Sequence, residues 1–190
     1  MSTFLETDRL VLRQFTQDDA QLLFDFNSDP DVIRYVGLHS PTELRPYQEF
    51  IREKCLAYYN RYATLGFWAA VEKATGQFIG WFHLRPALDY RFATEAGYQQ
   101  GDLDLGYRLR KSAWGKGYAT EGAKALIEIA LRQRNINRVV AATSIENVAS
   151  QRVLEKVGLT PTSQFTLPGY ERPVMKYELL CRSDEAQTMK

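Results

Sequence analysis

Leu105-Gly106-Tyr107-Arg108-Leu109-Arg110-Lys111-Ser112-Ala113-Trp114-Gly115-Lys116-Gly117-Tyr118-Ala119 is the stretch on which the fold turns. Upstream of the glycines, Leu103, Leu105, Tyr107 and Leu109 alternate with other residues, so Asp102 to Leu109 reads as a strand and as the central one. Downstream, Ala123, Leu126, Ile127, Ala130 and Leu131 recur at helical spacing, so Ala119 to Arg134 reads as an amphipathic helix. A strand that runs through a glycine loop straight into a helix is an anion-binding arrangement. The free N–H groups of a helix start carry partial positive charge, and glycine lets backbone approach a phosphate with no Cβ in the way. Gly115 and Gly117 suit that purpose. The N–H groups of Lys116, Gly117, Tyr118 and Ala119 can together cradle a diphosphate, with the Lys116 ammonium at the rim. The same glycines also suit a bare tight turn. Two other phosphate loops are excluded by spacing: there is no GxxxxGK[ST], and no GxGxxG opening a helix, so nucleoside triphosphates and NAD are not the expected guests.

The elements on either side extend this strand–loop–helix unit. Arg138 to Thr143 reads as a short buried strand, which completes a strand, helix, strand crossover. Asn147 to Val157 reads as a helix closed by Gly158, Phe165 to Leu167 as a short strand and Pro173 to Leu180 as the last one. Toward the N-terminus, Phe67 to Glu72 and Phe78 to Arg85 read as a hairpin around a Gly-containing turn, followed by a polar, irregular stretch to Gly101. Leu44 to Tyr62 has apolar residues at helical spacing. Thr16 is placed as an N-cap with Asp19 three residues on, and Leu22, Leu23 and Phe26 give an apolar stripe that should end at Asp29-Pro30. Leu5 to Arg13 alternates as one strand. Antiparallel strands, one crossover, then helix and strands argue for an α/β fold with a mixed sheet and helices on both faces.

The 190 residues have the length of one domain, expected at 1–182 with a polar C-terminal tail at 183–190, and no repeat or linker divides them. Lys plus Arg (24) nearly balance Asp plus Glu (23), so no broad field of one sign invites nucleic acid or an anionic membrane, and any anion site must be local. No apolar run of about 18 residues and no export signal stands out, and Cys55 and Cys181 lack disulfide-framework or metal spacing. A cytoplasmic protein without a metal is the expectation. Cys55 falls in a helical pattern as a small core residue, which disfavours a covalent cysteine mechanism.

Ser112-Ala113-Trp114-Gly115-Lys116-Gly117 resembles the [QR]-x-x-G-x-[GA] acyl-CoA loop of the GNAT superfamily of N-acetyltransferases, with Ser112 at the position of Gln or Arg. Trp114 to Glu121 is similar to the Trp-Gly-Lys-Gly-Tyr-Ala-Thr-Glu pattern of the branch of ribosomal-protein alanine acetyltransferases (RimJ/RimL-like). Asn147 to Gly158 resembles that branch's Asn-x-x-Ser helix ending in Lys-x-Gly. Leu5 to Arg13 and Ile79-Gly80 also resemble it, so the similarity spans roughly residues 4 to 180.

The resemblance implies a GNAT fold whose central sheet is splayed between two parallel strands, Asp102 to Leu109 and Arg138 to Thr143, with acetyl-CoA as co-substrate. It implies pantetheine contacts from the backbone of Tyr107, Arg108 and Leu109 and a phosphate site at Trp114, Gly115, Lys116, Gly117, Tyr118 and Ala119. Asn147 and Ser150 would lie near the thioester. Transfer to an amine needs a neutral nucleophile and a proton for the departing thiolate. Asp104 sits where relatives often carry a Glu, and its shorter side chain suits a base that works through water. It can equally be a structural carboxylate beside Asp102. Ser150 can donate a proton to the coenzyme sulfur, or bond back to a helix carbonyl. Relatives with a Tyr seven residues after the Asn have Leu154 at that position here.

Phe26, Tyr35, Trp81 and His83 are named for the acceptor side, although strand aromatics are more often core and a single His more often structural. The resemblance implies a primary amine as acceptor, either a peptide N-terminus or a small molecule such as a polyamine, amino acid or aminoglycoside. A protein that only binds acyl-CoA and regulates a partner is the alternative from another class. Edge strands and faces such as Phe165 and Tyr170 make a homodimer plausible.

Overall fold

The computed structural model describes residues 2–36, 39–133, 135–168 and 172–181. Eight strands form a sheet in the order β1-β2-β3-β4-β5-β6-β8-β7: β1 (Thr3–Glu6), β2 (Leu10–Gln14), β3 (Gly66–Glu72), β4 (Phe78–Pro86), β5 (Asp102–Leu109), β6 (Arg138–Ser144), β7 (Thr160–Phe165) and β8 (Val174–Leu180). Between them run helices α1 (Ala20–Asn27), α2 (Pro30–Ile33), α3 (Arg45–Phe50), α4 (Leu56–Arg61), α5 (Tyr118–Leu131) and α6 (Val148–Lys156). The mixed α/β expectation holds. The chain makes two compact units, Met1–His83 with Tyr107–Ala123 and Leu84–Gly106 with Lys124–Lys190.

In the first unit, β1 and β2 pair antiparallel and β2 pairs β3 in register from Leu10 with Glu72 to Gln14 with Trp68. The single strand expected over Leu5 to Arg13 is therefore two, because Thr7 turns the chain: its hydroxyl accepts the Leu10 N–H at 3.0 Å, and its own N–H donates to the Leu10 carbonyl. Asp19 accepts the Thr16 N–H at 2.8 Å, which fixes the entry to α1. Pro30 does not end that helix, which closes at Asn27. It starts α2, where its missing N–H costs nothing and Asp29 caps by accepting the Asp31 N–H at 2.9 Å. The helix expected over Leu44 to Tyr62 is α3 and α4 joined by a π-helical turn, Ile51–Cys55, which seats Ile51 and Cys55 in the core. Leu10, Leu12, Phe26, Trp68 and Phe82 are almost fully buried there, and each large side chain removed from water contributes about 2–3 kcal/mol.

Two glycines set close approaches in this unit. Gly80 in β4 has φ +141°, and a Cβ there would lie 2.2 Å from the Arg108 carbonyl oxygen and 2.7 Å from the Leu109 Cα. Only glycine brings this part of β4 against the backbone at Arg108. At Gly122 in α5 a Cβ would meet the Phe82 ring at 2.4 Å, so the helix packs directly on that ring.

In the second unit, β5 and β6 are parallel, joining Asp102, Leu103 and Asp104 to Arg138, Val139 and Val140. On its other side β6 pairs β8 antiparallel along its whole length, from Arg138 with Leu180 to Ser144 with Val174. β7 pairs β8 from Thr160 to Phe165, so the short strand expected at Phe165 to Leu167 starts earlier, carried by the ladder and not by an apolar pattern. Leu126, Ala130, Val139, Val140, Leu154 and Leu159 are buried. Phe165, expected to need cover from a second subunit, packs against Ala87, Ala96, Tyr98 and Val140. Tyr170 and the tail at 183–190 lie outside the described residues. Among the described residues no helix is long and apolar enough to cross a membrane.

Candidate active site

The glycine loop is built as its sequence requires. Gly115 and Gly117 have φ +73° and +84°, in the left-handed region, and the chain from Trp114 to Gly117 is exposed. Among the described residues no backbone N–H from Gly115 to Thr120 donates to a backbone carbonyl; the first bond of α5 runs from Glu121 to the Gly117 carbonyl at 3.0 Å. Six consecutive N–H groups are thus left without a backbone acceptor at the positive end of a 14-residue helix. A Cβ at Gly115 would meet nothing within 4 Å, so the approach is open. These residues fit a diphosphate.

A strut that periodicity could not show holds the loop. Arg9 donates from Nη1 to the Lys116 carbonyl at 2.9 Å and lies over the Tyr118 ring at 4.7 Å. Glu121, in the first turn of α5, accepts from Arg9 Nη2 at 2.6 Å, Arg9 Nε at 2.7 Å, the Arg9 N–H at 2.9 Å and the Thr7 hydroxyl at 2.5 Å. Burial pushes the Glu121 carboxyl up, but the bonds from Thr7 and Arg9 outweigh it and hold it below its ordinary range. The Tyr118 hydroxyl donates to Glu72, and hydrogen bonds from Thr75 and then Tyr118 lower the Glu72 carboxyl. Lys111 pairs with Asp31 at 2.6 Å, tying the segment after β5 to α2.

Of the expected site residues in this unit, Trp114 is 46% exposed, with Nε1 donating to the Leu109 carbonyl at 2.8 Å. That bond occupies one of the carbonyls expected to meet pantetheine. The Tyr107 ring lies 5.9 Å from Phe82. Trp81 and Phe26 come together on one guanidinium: Arg108 lies 5.1 Å from the Trp81 ring and 5.3 Å from Phe26. His83 is buried, stacked on Trp81 at 5.6 Å and edge-on to Phe67 at 5.2 Å. Tyr35 lies in the turn after α2, its ring under the Arg34 guanidinium at 5.2 Å.

The other unit holds the acid–base candidates. Asp104 is buried on β5 and takes Arg85 Nε at 2.9 Å and Nη2 at 2.8 Å. Asp102, on the same face, is held by Arg138 Nε at 2.9 Å and Nη2 at 2.5 Å, with Arg138 also reaching Glu178 at 2.9 Å. The two carboxylates thus have separate arginine partners. Asn147 caps α6: its Oδ1 accepts the Ser150 N–H at 3.2 Å. The half-buried Ser150 sits in the first turn, and Gln151 bonds the Ser144 and Ile145 carbonyls at 3.3 and 2.7 Å. Arg85 and Arg9 were missed by sequence reasoning because each acts through a partner remote in the chain. Arg9 did lie in the segment carrying the family resemblance.

The family profile described as acetyltransferase (GNAT) domain matches residues 9–160. An uncharacterized protein of Bacillus subtilis (strain 168), YkkB, is 30% identical over 93% of this chain and 95% of its own. The FsC-acetyl coenzyme A-N(2)-transacetylase of Aspergillus fumigatus is 27% identical over 92% of this chain and 75% of its own. The solved structure of RimL, a ribosomal L7/L12 alpha-N-protein acetyltransferase in complex with coenzyme A, superposes with a TM-score of 0.74 at 17% identity, covering 96% of this chain and 100% of that one. At that identity the likeness is one of fold.

Proposed function

The chain belongs to the GNAT family of acetyltransferases, and from that premise we propose that it moves an acetyl group from acetyl-CoA to a primary amine by direct attack in a ternary complex. The observation that carries this reading is the run of free donors from Gly115 to Thr120 with both glycines left-handed. When bound, acetyl-CoA supplies an activated thioester and a thiolate leaving group. The N–H groups of Gly115 to Thr120 hold its diphosphate, and Lys116 adds charge at the rim. The backbone at Tyr107, Arg108 and Leu109 guides the pantetheine arm.

Asp104, its carboxylate oriented by Arg85, orders a water that accepts the proton of the attacking amine, and Ser150 donates or relays one to the departing sulfur. Asn147 holds the helix start on which Ser150 stands. Phe26, Tyr35, Trp81 and His83 line the acceptor side, with His83 a packing residue stacked on Trp81. The acceptor is a peptide N-terminus or a small amine, and the protein works in the cytoplasm.

Purified protein is incubated with acetyl-CoA and a panel of Ala- and Ser-initiated peptides, polyamines, amino acids and aminoglycosides, with thiol release followed against a Gly117→Trp control. In that variant a side chain is forced on to φ +84°, 3.3 Å from Arg9 Nη2 already at Cβ. Acceptor-dependent release that the control lacks supports the transferase. Tight coenzyme binding without release by any acceptor would favour a binding module, and no coenzyme binding would refute the reading.

A further inference from the structure

Arg108 differs from half of the arginines of its unit. Arg9, Arg13, Arg45 and Arg52 each reach a carboxylate within 2.8 Å. The Arg108 guanidinium lies over Phe26 and Trp81, with Tyr47 as its electrostatic neighbour, and its Nε and Nη1 are shut off from solvent with no hydrogen-bond partner among the described residues. Two residues on and on the same face of the chain, Arg110 lies 5.5 Å from Phe78 with its Nε in the same condition. Phe26 and Phe78 meet edge-on at 5.8 Å between them. Burial draws the Arg108 guanidinium down to about 10, which leaves it charged at neutral pH.

The aromatic faces satisfy the flat sides of a guanidinium but leave Nε and Nη1 unanswered. A buried charge with an open edge is costly unless a counter-charge arrives. The planar guanidinium, in which Nη2 forms a fork with either Nε or Nη1, matches a carboxylate, which takes two parallel hydrogen bonds. Phe26 and Trp81, which hold the guanidinium, are two of the residues proposed for the acceptor side. We infer that the acceptor is an amine that carries its own carboxylate, as a free amino acid or short peptide does, and that Arg108 binds that carboxylate. Arg108 is thus a specificity-determining residue: its backbone belongs to the coenzyme strand and its side chain to the acceptor. A polyamine or aminoglycoside would bring a second cation against an unpaired guanidinium, so these are rejected. The inference rests on the acetyltransferase reading.

The test measures, at saturating acetyl-CoA, kcat/KM for amino acids and dipeptides against their C-terminal amides, with spermidine and an aminoglycoside alongside. Binding of the same compounds to the coenzyme A complex is followed by calorimetry. The wild type should prefer carboxylates over amides by about 10- to 100-fold, the usual worth of one charge-assisted pair. Arg108→Gln should erase that preference through acceptor KM, and Arg108→Lys should restore part of it. Coenzyme A affinity, read separately, reports whether each variant is folded. Arg108→Met should melt no lower than wild type without ligand, since it removes a buried charge that nothing offsets. No carboxylate preference in either turnover or binding, or a preference that survives Arg108→Gln, overturns the inference. Loss of coenzyme binding in the wild type would instead strike the acetyltransferase reading.

Discussion

Replacing Glu121 by Gln keeps the shape of the side chain and removes the charge on which the loop's strut depends. The carboxylate accepts from the Thr7 hydroxyl, the Arg9 N–H and the Arg9 guanidinium, and its own side chain is 17% exposed against 48% for Arg9. With Arg9 so open to solvent, the side-chain pair contributes only about 0.5 kcal/mol. The two bonds to Oε1 contribute about 1 kcal/mol each. Glutamine retains an acceptor for Thr7 and the Arg9 N–H but turns an amide donor toward the Arg9 donors, so the cost at neutral pH is about 1–2 kcal/mol. Urea unfolding followed by tryptophan fluorescence measures it.

The pH dependence is the sharper test. The folded-state carboxyl titrates below its ordinary value of 4.5, so the folded state binds this proton less readily than the unfolded one. Its contribution is complete above that value and is lost as pH falls through the lower folded one. The gap between wild type and Glu121→Gln should therefore be flat from pH 6 to about pH 5 and close below about 4.5. Coenzyme A should also bind about 5- to 20-fold more weakly to the variant, because the Lys116 carbonyl loses the Arg9 prop. A gap that persists unchanged to pH 3, or unaltered coenzyme affinity, refutes the reasoning.

Three further outcomes follow from the same geometry. Gly80→Ala should lower stability by about 3 kcal/mol or more in urea titrations, since its Cβ would stand 2.2 Å from the Arg108 carbonyl oxygen; a cost under about 1 kcal/mol would mean β4 and β5 separate freely there. Iodoacetamide at pH 8 should leave Cys55 unmodified until the protein unfolds, because burial pushes its thiol far up; half-buried Cys181, raised less, should react slowly and without loss of thiol-release activity. Asp104→Asn should lower kcat by about 100-fold or more and Ser150→Ala by about 10-fold or more, each with coenzyme affinity held; full activity in either would return that residue to a structural role.

The fold was legible where a pattern repeats over enough residues to fix one face. β5 spans the residues read from Leu103, Leu105, Tyr107 and Leu109, and α5 begins one residue before the stretch read from its apolar spacing. Misreadings fell where a local choice depends on a distant partner. Leu5 to Arg13 alternates well enough to read as one strand, and the Thr7 bonds to Leu10 and the antiparallel pairing of its two halves divide it. β7 has the composition Thr-Pro-Thr-Ser-Gln-Phe and is nearly all exposed, so no periodicity announces it; β8 supplies its register. Asp29-Pro30 marks a boundary in either reading, but a proline that ends one helix and one that opens the next look the same until the cap is seen.

The candidate site divides along the same line. Backbone chemistry was readable, because Gly-x-Gly before an amphipathic helix already specifies left-handed turns and a row of unbonded N–H groups. Charge chemistry was not. Asp102 and Asp104 stand two apart on one strand, yet their different arginine partners, Arg138 and Arg85, come from β6 and β4. Arg108 appears in the sequence as one more cation in a neutral chain. Its meaning comes from what surrounds it: two aromatic faces and no carboxylate among the described residues. The near balance of 24 basic and 23 acidic residues makes that setting informative, since acids are plentiful and this buried guanidinium has none bonded to its Nε or Nη1 among the described residues. If the acceptor supplies the missing charge, affinity for the amine rests on a group remote from the nitrogen that reacts. Arg108→Gln should then raise the acceptor KM while leaving kcat within a few-fold, the signature of a lost positioning contact. A fall in kcat at unchanged KM would instead mean that Arg108 acts on the reacting atoms.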